Sequence, residues 1–445
     1  MCPANRGPIL ASTALLTDHY ELTMVDAALA DGSAQRPCVF EAFARGLPPS
    51  RAYGVVAGLG RLIEALEDFR FDDAVLGHLD DHDVVGPATL EYLADFAFTG
   101  EVHGYREGEV YFPGSPVLTV TAPFAQAALL ETLVLSILNH DSAIASAAAR
   151  MVTAARGRAL LEFGGRRTHE QAAVAAARAA YVAGFTGSSN LEAGRRHGVP
   201  TLGTSAHSFI LLHDDEEEAF AAQVAAMGGT TTLLVDTYDT GEGLARALRA
   251  AGRTLGGVRI DSGDLAAEAV RAREVLDEAG AHDTRIVLSG SLDEYGIEEL
   301  AEVPADAYGV GTSLVTGSGA PAAGFVYKLV ARARQPDGPL EPVAKAGGAK
   351  ATVGTRKAAA RRIVDGIART EHLRAWDTPP PPDARDLQVP VVTGGEIRHR
   401  PGLDDIRAHH RAALDELPGH AHELHAAAPA LKTIHDLPTD QEPSP

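Results

Sequence analysis

Seven short stretches in the middle third of this 445-residue chain end in residues able to do chemistry. In order they are Phe163 with Arg166 and Arg167; Ser188, Ser189 and Asn190; His207 with Ser208; Asp236 with Asp239; Arg259, Asp261 and Asp264; Ser289, Gly290 and Ser291; and Gly311, Thr312 and Ser313. Taken singly, each has an ordinary explanation. A lone aspartate after a strand is more often a helix N-cap than a catalyst, and Asp239 and Asp264 suit that role. Arg166 and Arg167 suit a solvated surface pair, and His207 a satisfied structural histidine. The last two clusters suit tight turns, but equally a phosphate cradle, because small residues let backbone N–H groups approach an anion. What the separate explanations do not cover is the recurrence of polar clusters at the same point of seven consecutive units.

Each cluster closes a short β-type run: RALLEFG, AGFTG, TLGTS, TTLLVD, GVRID, RIVLS and YGVG. Most neighbours lie roughly 20–30 residues apart, the length of a strand, a helix and two short loops. Helical patterns fill several intervals. Examples are HEQAAVAAARAAYVA at 169–183 and DLAAEAVRAREVLDEAG at 264–280, where Leu265, Ala269, Ala272 and Leu276 share one face. Strand alternating with helix means a parallel sheet. Seven repeats favour an irregular TIM-like α/β barrel over residues 126–340, rather than an open doubly wound sheet. In such a barrel the reacting groups come from the carboxyl ends of the strands, and the last loops hold phosphate.

A second α/β domain is expected from residues 1–125, with PCVFEAF and EVYFPGSPVLTVTA as β-like pieces and YGVVAGLGRLIEAL as helix. Residues of about 340–430 complete it, as short basic strands, then TPPPPDAR, then helices. Residues 431–445, ending LPTDQEPSP, read as a disordered tail. No glycine-rich dinucleotide fingerprint is found, since GLGRL lacks a strand before it and a helix after it.

Composition narrows the classes. Acidic residues outnumber basic ones 60 to 39, and a net charge of −21 argues against nucleic acid or an anionic membrane as partner. Cys2 and Cys38 are too few for a disulfide framework, which points to a reducing, cytoplasmic setting. The apolar run Ala11–Leu16 stops at Asp18 and His19, too soon for a signal peptide, and no stretch of about 18 apolar residues suggests a membrane span. His409, His410, His420, His422 and His425 match no metal-ligand spacing and read as a solvated helix face.

The ordered set LLTDHYELTM, FEAFARGLP, LEFGGRR, GFTGSSN, GTSAHS, VDTYDT, VRIDSGDL, SGSLDEYGI, YGVGTSLVTG, FVYKLV and PVAK resembles the nicotinate phosphoribosyltransferases, of the type II phosphoribosyltransferase fold. The likeness covers most of residues 15–350. It implies that nicotinate is joined to 5-phosphoribosyl 1-diphosphate to give nicotinate mononucleotide and diphosphate, an entry to NAD biosynthesis, with ATP hydrolysis coupled through a phosphohistidine. His207 occupies the position of that histidine, and Asp236 is expected to accept its other ring N–H. Tyr20 and Phe163 resemble the aromatic pair that sandwiches the pyridine ring, the tyrosine coming from the partner subunit of a homodimer with shared sites. Arg166, Ser188, Ser189 and Asn190 would line the same mouth. Arg259 and Asp261 would bind the phosphoribosyl group, Asp261 also lying near Mg2+ and diphosphate. Gly290, Ser291, Gly311 and Thr312 would hold the 5′-phosphate, with Lys328 and Lys345 as further phosphate contacts. Gly165 and Phe209 depart from the family pattern, where a larger residue and a tryptophan are expected. A quinolinate-using relative would need a denser basic pocket and no reactive histidine. A nicotinamide-using relative would share the histidine but fits SSN and VDTYDT less well. A non-catalytic barrel would not need polar residues at every strand end.

Overall fold

Short apolar runs, each followed by an amphipathic helix, build the middle of the chain into one parallel sheet. In the computed structural model, which describes residues 12–345 and 353–437, its spatial order is Gly187–Ser188, Ala159–Glu162, Ala307–Val310, Arg285–Gly290, Gly257–Ile260 and Thr232–Leu234. All five pairings are parallel. Six of the seven expected strands are therefore present. The seventh, TLGTS, contributes only a bridge from Thr201 to Ser188. Gly203, Thr204 and Ser205 offer too little apolar surface for a buried strand, and Thr204 and Ser205 accept from Arg259 instead.

Register brings the strand ends to one edge. Glu162 lies opposite Val310, Val310 opposite Gly290, Leu288 opposite Ile260, and Arg259 opposite Leu234. Helices Glu170–Val182 and Leu265–Glu278 cover the sheet, the second burying Ala269, Ala272 and Leu276. Several strand-end polar residues cap the helices Leu191–His197, Thr240–Ala251 and Leu265–Glu278. Asn190 accepts from Ala193 N at 3.0 Å, Asp239 from Glu242 N at 2.9 Å, and Asp264 from Ala267 N at 3.1 Å. The N-cap explanation thus holds for Asp239 and Asp264. Helix Thr240–Ala251 approaches its strand so closely that a Cβ on Gly243 would stand 2.0 Å from Val235 O.

The chain forms two compact units: Ala143–Pro321, which holds this sheet, and Met1–Ser142 with Ala322–Pro445. The break expected near residue 125 lies instead within helix Glu131–Ala154, which has no Gly or Pro to interrupt it. At the other end, Phe325–Arg332 belongs to the second unit because it pairs antiparallel with Pro37–Ala44. The apolar helical stretch Phe124–Ala154 has the length and composition to cross a membrane, contrary to the sequence reading. However, 67% of its most apolar window is buried inside the fold, as in a core helix.

The second unit is built on a seven-stranded sheet in which Phe325–Arg332, Pro37–Ala44, Leu118–Pro123, Glu101–Tyr105 and Gln388–Thr393 are successive neighbours. Phe40 stacks on Tyr327 with ring centroids 4.9 Å apart. A four-stranded sheet of Ala384–Asp386, Lys357–Val364, Ile367–Ala375 and Lys432–Asp436 makes the C-terminal segment richer in strand than expected. Lys432–Asp436 pairs in parallel with Ile367–Ala375, so the expected tail begins as a strand, and residues 438–445 lie outside the described residues. His410, expected on a solvated face, is buried with Nδ1 2.8 Å from Gly108 O.

Candidate active site

Arg259 is the hub of the strand-end cluster. It follows from its place near the end of a buried strand, where the long side chain can reach along the sheet edge. Nε donates to Ser289 Oγ at 2.8 Å, one terminal nitrogen to Thr204 Oγ1 at 3.0 Å, and the other to Asp261 Oδ1 at 2.9 Å. Ser289 Oγ also donates to Asp261 Oδ1 at 2.5 Å. Burial alone would raise the Asp261 carboxyl. Hydrogen bonds from Ser289 and Arg259, with the Arg259 and His207 charges, outweigh it and hold the group below the usual carboxylate range. The result is a preorganised ion pair, mostly shielded from water.

His207 opens the short helix His207–Leu211, with 40% of its side chain exposed. Nε2 stands 3.9 Å from Asp261 Oδ2, and Nδ1 is 3.1 Å from Thr237 Oγ1. Asp236 is therefore not the partner of His207. Its Oδ2 accepts from Asp261 N at 2.9 Å and Ser262 Oγ at 2.6 Å, because its side chain turns along the sheet edge towards the next loop. Asp236 Oδ1 and Ser205 Oγ are buried without a hydrogen-bond partner. Thr237 was missed by the sequence reading; its only signal is a hydroxyl between two aspartates in VDTYD.

Phe163 stands half-buried beside this cluster, the Arg259 guanidinium 5.4 Å from its ring centroid. Gly309 leaves room for the ring, since a Cβ there would meet Phe163 Cε2 at 2.5 Å. Ser188 was expected to line the mouth but is fully buried, donating to Glu162 Oε2 at 2.5 Å. The nearby Arg166, Ser189, Ser291 and Thr312 are exposed, and Asn190 is the helix cap already described. Gly290 has φ +136°, and a Cβ there would lie 3.1 Å from Asp261 O, so this turn favours glycine on steric grounds. Gly311 has no such constraint: a Cβ there would meet nothing closer than Phe163 O at 3.6 Å.

Tyr20 belongs to the other unit, on helix His19–Ala30, with 44% of its surface exposed. Burial, followed by the charges of Glu131, Glu21 and Asp18, pushes its phenol up to about 12, so it stays neutral. Lys328 Nζ donates to Tyr327 O at 2.8 Å and lies 3.6 Å from Glu131 Oε1, which ties it into that unit. Lys345 is exposed.

Two family models match successive parts of the chain: the nicotinate phosphoribosyltransferase (NAPRTase) N-terminal domain over residues 15–139 and the NAPRTase family over residues 159–332. Nicotinate phosphoribosyltransferase pncB1 of Mycobacterium tuberculosis is 54% identical over 442 residues, spanning 97% of this chain and 96% of that relative. This chain belongs to the nicotinate phosphoribosyltransferase family. The nicotinate phosphoribosyltransferase of Bacillus subtilis is 40% identical over 337 residues, 72% of this chain and 67% of its own length. The crystal structure of human nicotinic acid phosphoribosyltransferase matches with a TM-score of 0.82 at 27% identity, covering 95% of this chain and 97% of that one. The nicotinate phosphoribosyltransferase match over 159–332 includes His207, Arg259 and Asp261, while Tyr20 falls in the N-terminal match.

Proposed function

We propose that this chain joins nicotinate to 5-phosphoribosyl 1-diphosphate, giving nicotinate mononucleotide and diphosphate for NAD biosynthesis in the cytoplasm. What supports this reading is one constellation in a chain of this family: a Phe163 platform, the Arg259–Asp261 pair and His207 on one sheet edge. The reaction breaks the bond from ribose C1 to diphosphate and forms the bond from C1 to the pyridine nitrogen. That nitrogen is a free nucleophile at neutral pH, so no general base is needed. The protein's task is to align it behind C1 while positive charge develops on the ribose. Phe163 and Tyr20 of a second copy would hold the ring by stacking, Arg166 and Ser189 would contact its surroundings, and Gly290, Ser291, Gly311 and Thr312 would seat the 5′-phosphate.

Mg2+ fits the donors present. Asp236 Oδ1 is a buried oxygen without a partner, and Asp261 Oδ2 stands 3.9 Å from His207 Nε2. Among the described residues no three His, Cys, Asp or Glu side chains form a metal site by themselves. One or two carboxylates plus substrate oxygens and water are what Mg2+ ordinarily takes. Bound there, the ion would neutralise charge on the departing diphosphate.

ATP coupling would run through His207. In the tautomer that donates Nδ1–H to Thr237 Oγ1, 3.1 Å away, Nε2 carries the lone pair and can attack the γ-phosphorus of ATP. The N–P bond forms as the bond to ADP breaks, and water later releases phosphate. We also read the parallel sheet as an irregular, incomplete TIM-like barrel. Its strands follow one another in cyclic chain order, and the Thr201 bridge extends that order on the Ser188 side.

The test is turnover with nicotinate, nicotinamide and quinolinate, with 5-phosphoribosyl 1-diphosphate and Mg2+. Nicotinate is expected to be strongly preferred; equal use of quinolinate, or no pyridine turned over, overturns the reading. Incubation with γ-labelled ATP should place an acid-labile label on His207.

A further inference from the structure

We propose that Glu162, which touches no substrate, is a positioning residue that sets the pyridine end of the site by tying two strand-end turns together. The inference rests on the nicotinate reading above. Glu162 is the last residue of strand Ala159–Glu162, and neither it nor Ser188 is exposed to any extent (0%). One carboxylate oxygen accepts the N–H of Gly164, inside the turn that follows Phe163. The other accepts Ser188 Oγ–H at 2.5 Å, while Ser188 Oγ itself accepts Asn190 N–H at 2.8 Å. The main chain closes the same link, with Ser189 N donating to Glu162 O at 2.9 Å. A third turn presses on the first: a Cβ on Gly164 would stand 2.2 Å from Val315 Cγ1 and 3.0 Å from Gly311 O.

The energetics argue that this is not a device for stability. Burial is the largest influence on the Glu162 carboxyl and raises it above the usual range, against the hydrogen bonds from Ser188 and Gly164. A leucine at this strand end would bury with less desolvation cost. What a forked polar side chain can do, and a leucine cannot, is hold Gly164 N and Ser188 Oγ at once, and so hold Phe163 over Gly309 and Ser189 at a defined distance from it. Outer residues of this kind fix the groups that do touch ligand.

The test compares E162A, E162Q and S188A with the unmodified chain. With E162A, nicotinate KM should rise about tenfold, because a displaced ring platform stacks less well on the bound pyridine. KM for 5-phosphoribosyl 1-diphosphate and kcat at saturation should change less than about twofold, because Arg259 and Asp261 are held by other bonds. E162Q keeps one acceptor oxygen and an amide that Ser188 Oγ can accept from, so it should recover most of the loss. S188A deletes one link and should give a smaller rise, which keeps the inference testable if E162A does not fold. Hydrogen exchange should quicken in E162A at 163–165 and 188–190 and stay unchanged at 259–262. Equal losses for both substrates, an unchanged nicotinate KM in E162A and S188A, or unchanged exchange would each overturn the proposal. If the unmodified chain does not use nicotinate, the functional reading fails, while exchange at the two turns still decides whether Glu162 ties them.

Discussion

His207 has Thr237 at one nitrogen and the Asp261 carboxylate beyond the other, so variants should separate ATP coupling from synthesis. His207→Ala should abolish ATPase activity and ATP-stimulated synthesis but leave a slow ATP-independent reaction, because the substrate-holding groups remain. Thr237→Val should show a milder form of the same split, since it frees the ring without removing it; a loss of synthesis equal to that of ATPase would refute this. Measuring both rates side by side decides each case. Asp261 carries a pH signature. Its carboxyl is lowered, so its contribution to stability is complete above the unfolded value of about 4 and is lost as pH falls through the folded value. The stability difference between the unmodified chain and Asp261→Asn should therefore be flat from pH 8 to about 5 and shrink in more acid solution, as read from denaturation at each pH.

Two glycines distinguish an element that positions the ring from one that only supports the sheet. A Cβ on Gly309 would meet the Phe163 ring at 2.5 Å and Ser289 Cβ at 3.0 Å, so Gly309→Ala must push the ring off its strand. Nicotinate KM should rise about tenfold, for the same reason of weakened stacking. In Gly243→Ala the new atom meets backbone, Val235 O at 2.0 Å, so the whole helix Thr240–Ala251 must shift. Overpacking of this kind costs about 1–3 kcal/mol, visible as a lowered Tm, without a selective effect on nicotinate. If the two substitutions gave the same kinetic pattern, Gly309 would be no more than another packing position.

At the scale of the whole molecule, the proposed homodimer with shared sites makes a prediction that one chain cannot satisfy. Tyr20→Ala and His207→Ala chains should each be inactive in ATP-coupled synthesis. Mixed under conditions of subunit exchange, they should regain activity through hybrid sites that carry one intact Tyr20 and one intact His207. Verified exchange without any regained activity would separate Tyr20 from the nicotinate site.

The amino-acid sequence determined the local matters. Apolar runs closed by polar residues specified six parallel strands and the edge at which Arg259, Asp261 and His207 meet, because strand and helix periods are properties of neighbouring residues. Asp239 and Asp264 were legible as caps for the same reason. Only the tertiary structure decided which side chains face which. It gave His207 Thr237 rather than Asp236, withdrew Ser188 from the mouth into a bond with Glu162, and left TLGTS as a loop feeding Thr204 to Arg259. It also placed Phe325–Arg332 against Pro37–Ala44 and turned Lys432–Asp436 into a strand. Such partners lie tens to hundreds of residues apart, and the choice among them depends on side-chain direction and on competition for donors and acceptors within the packed fold.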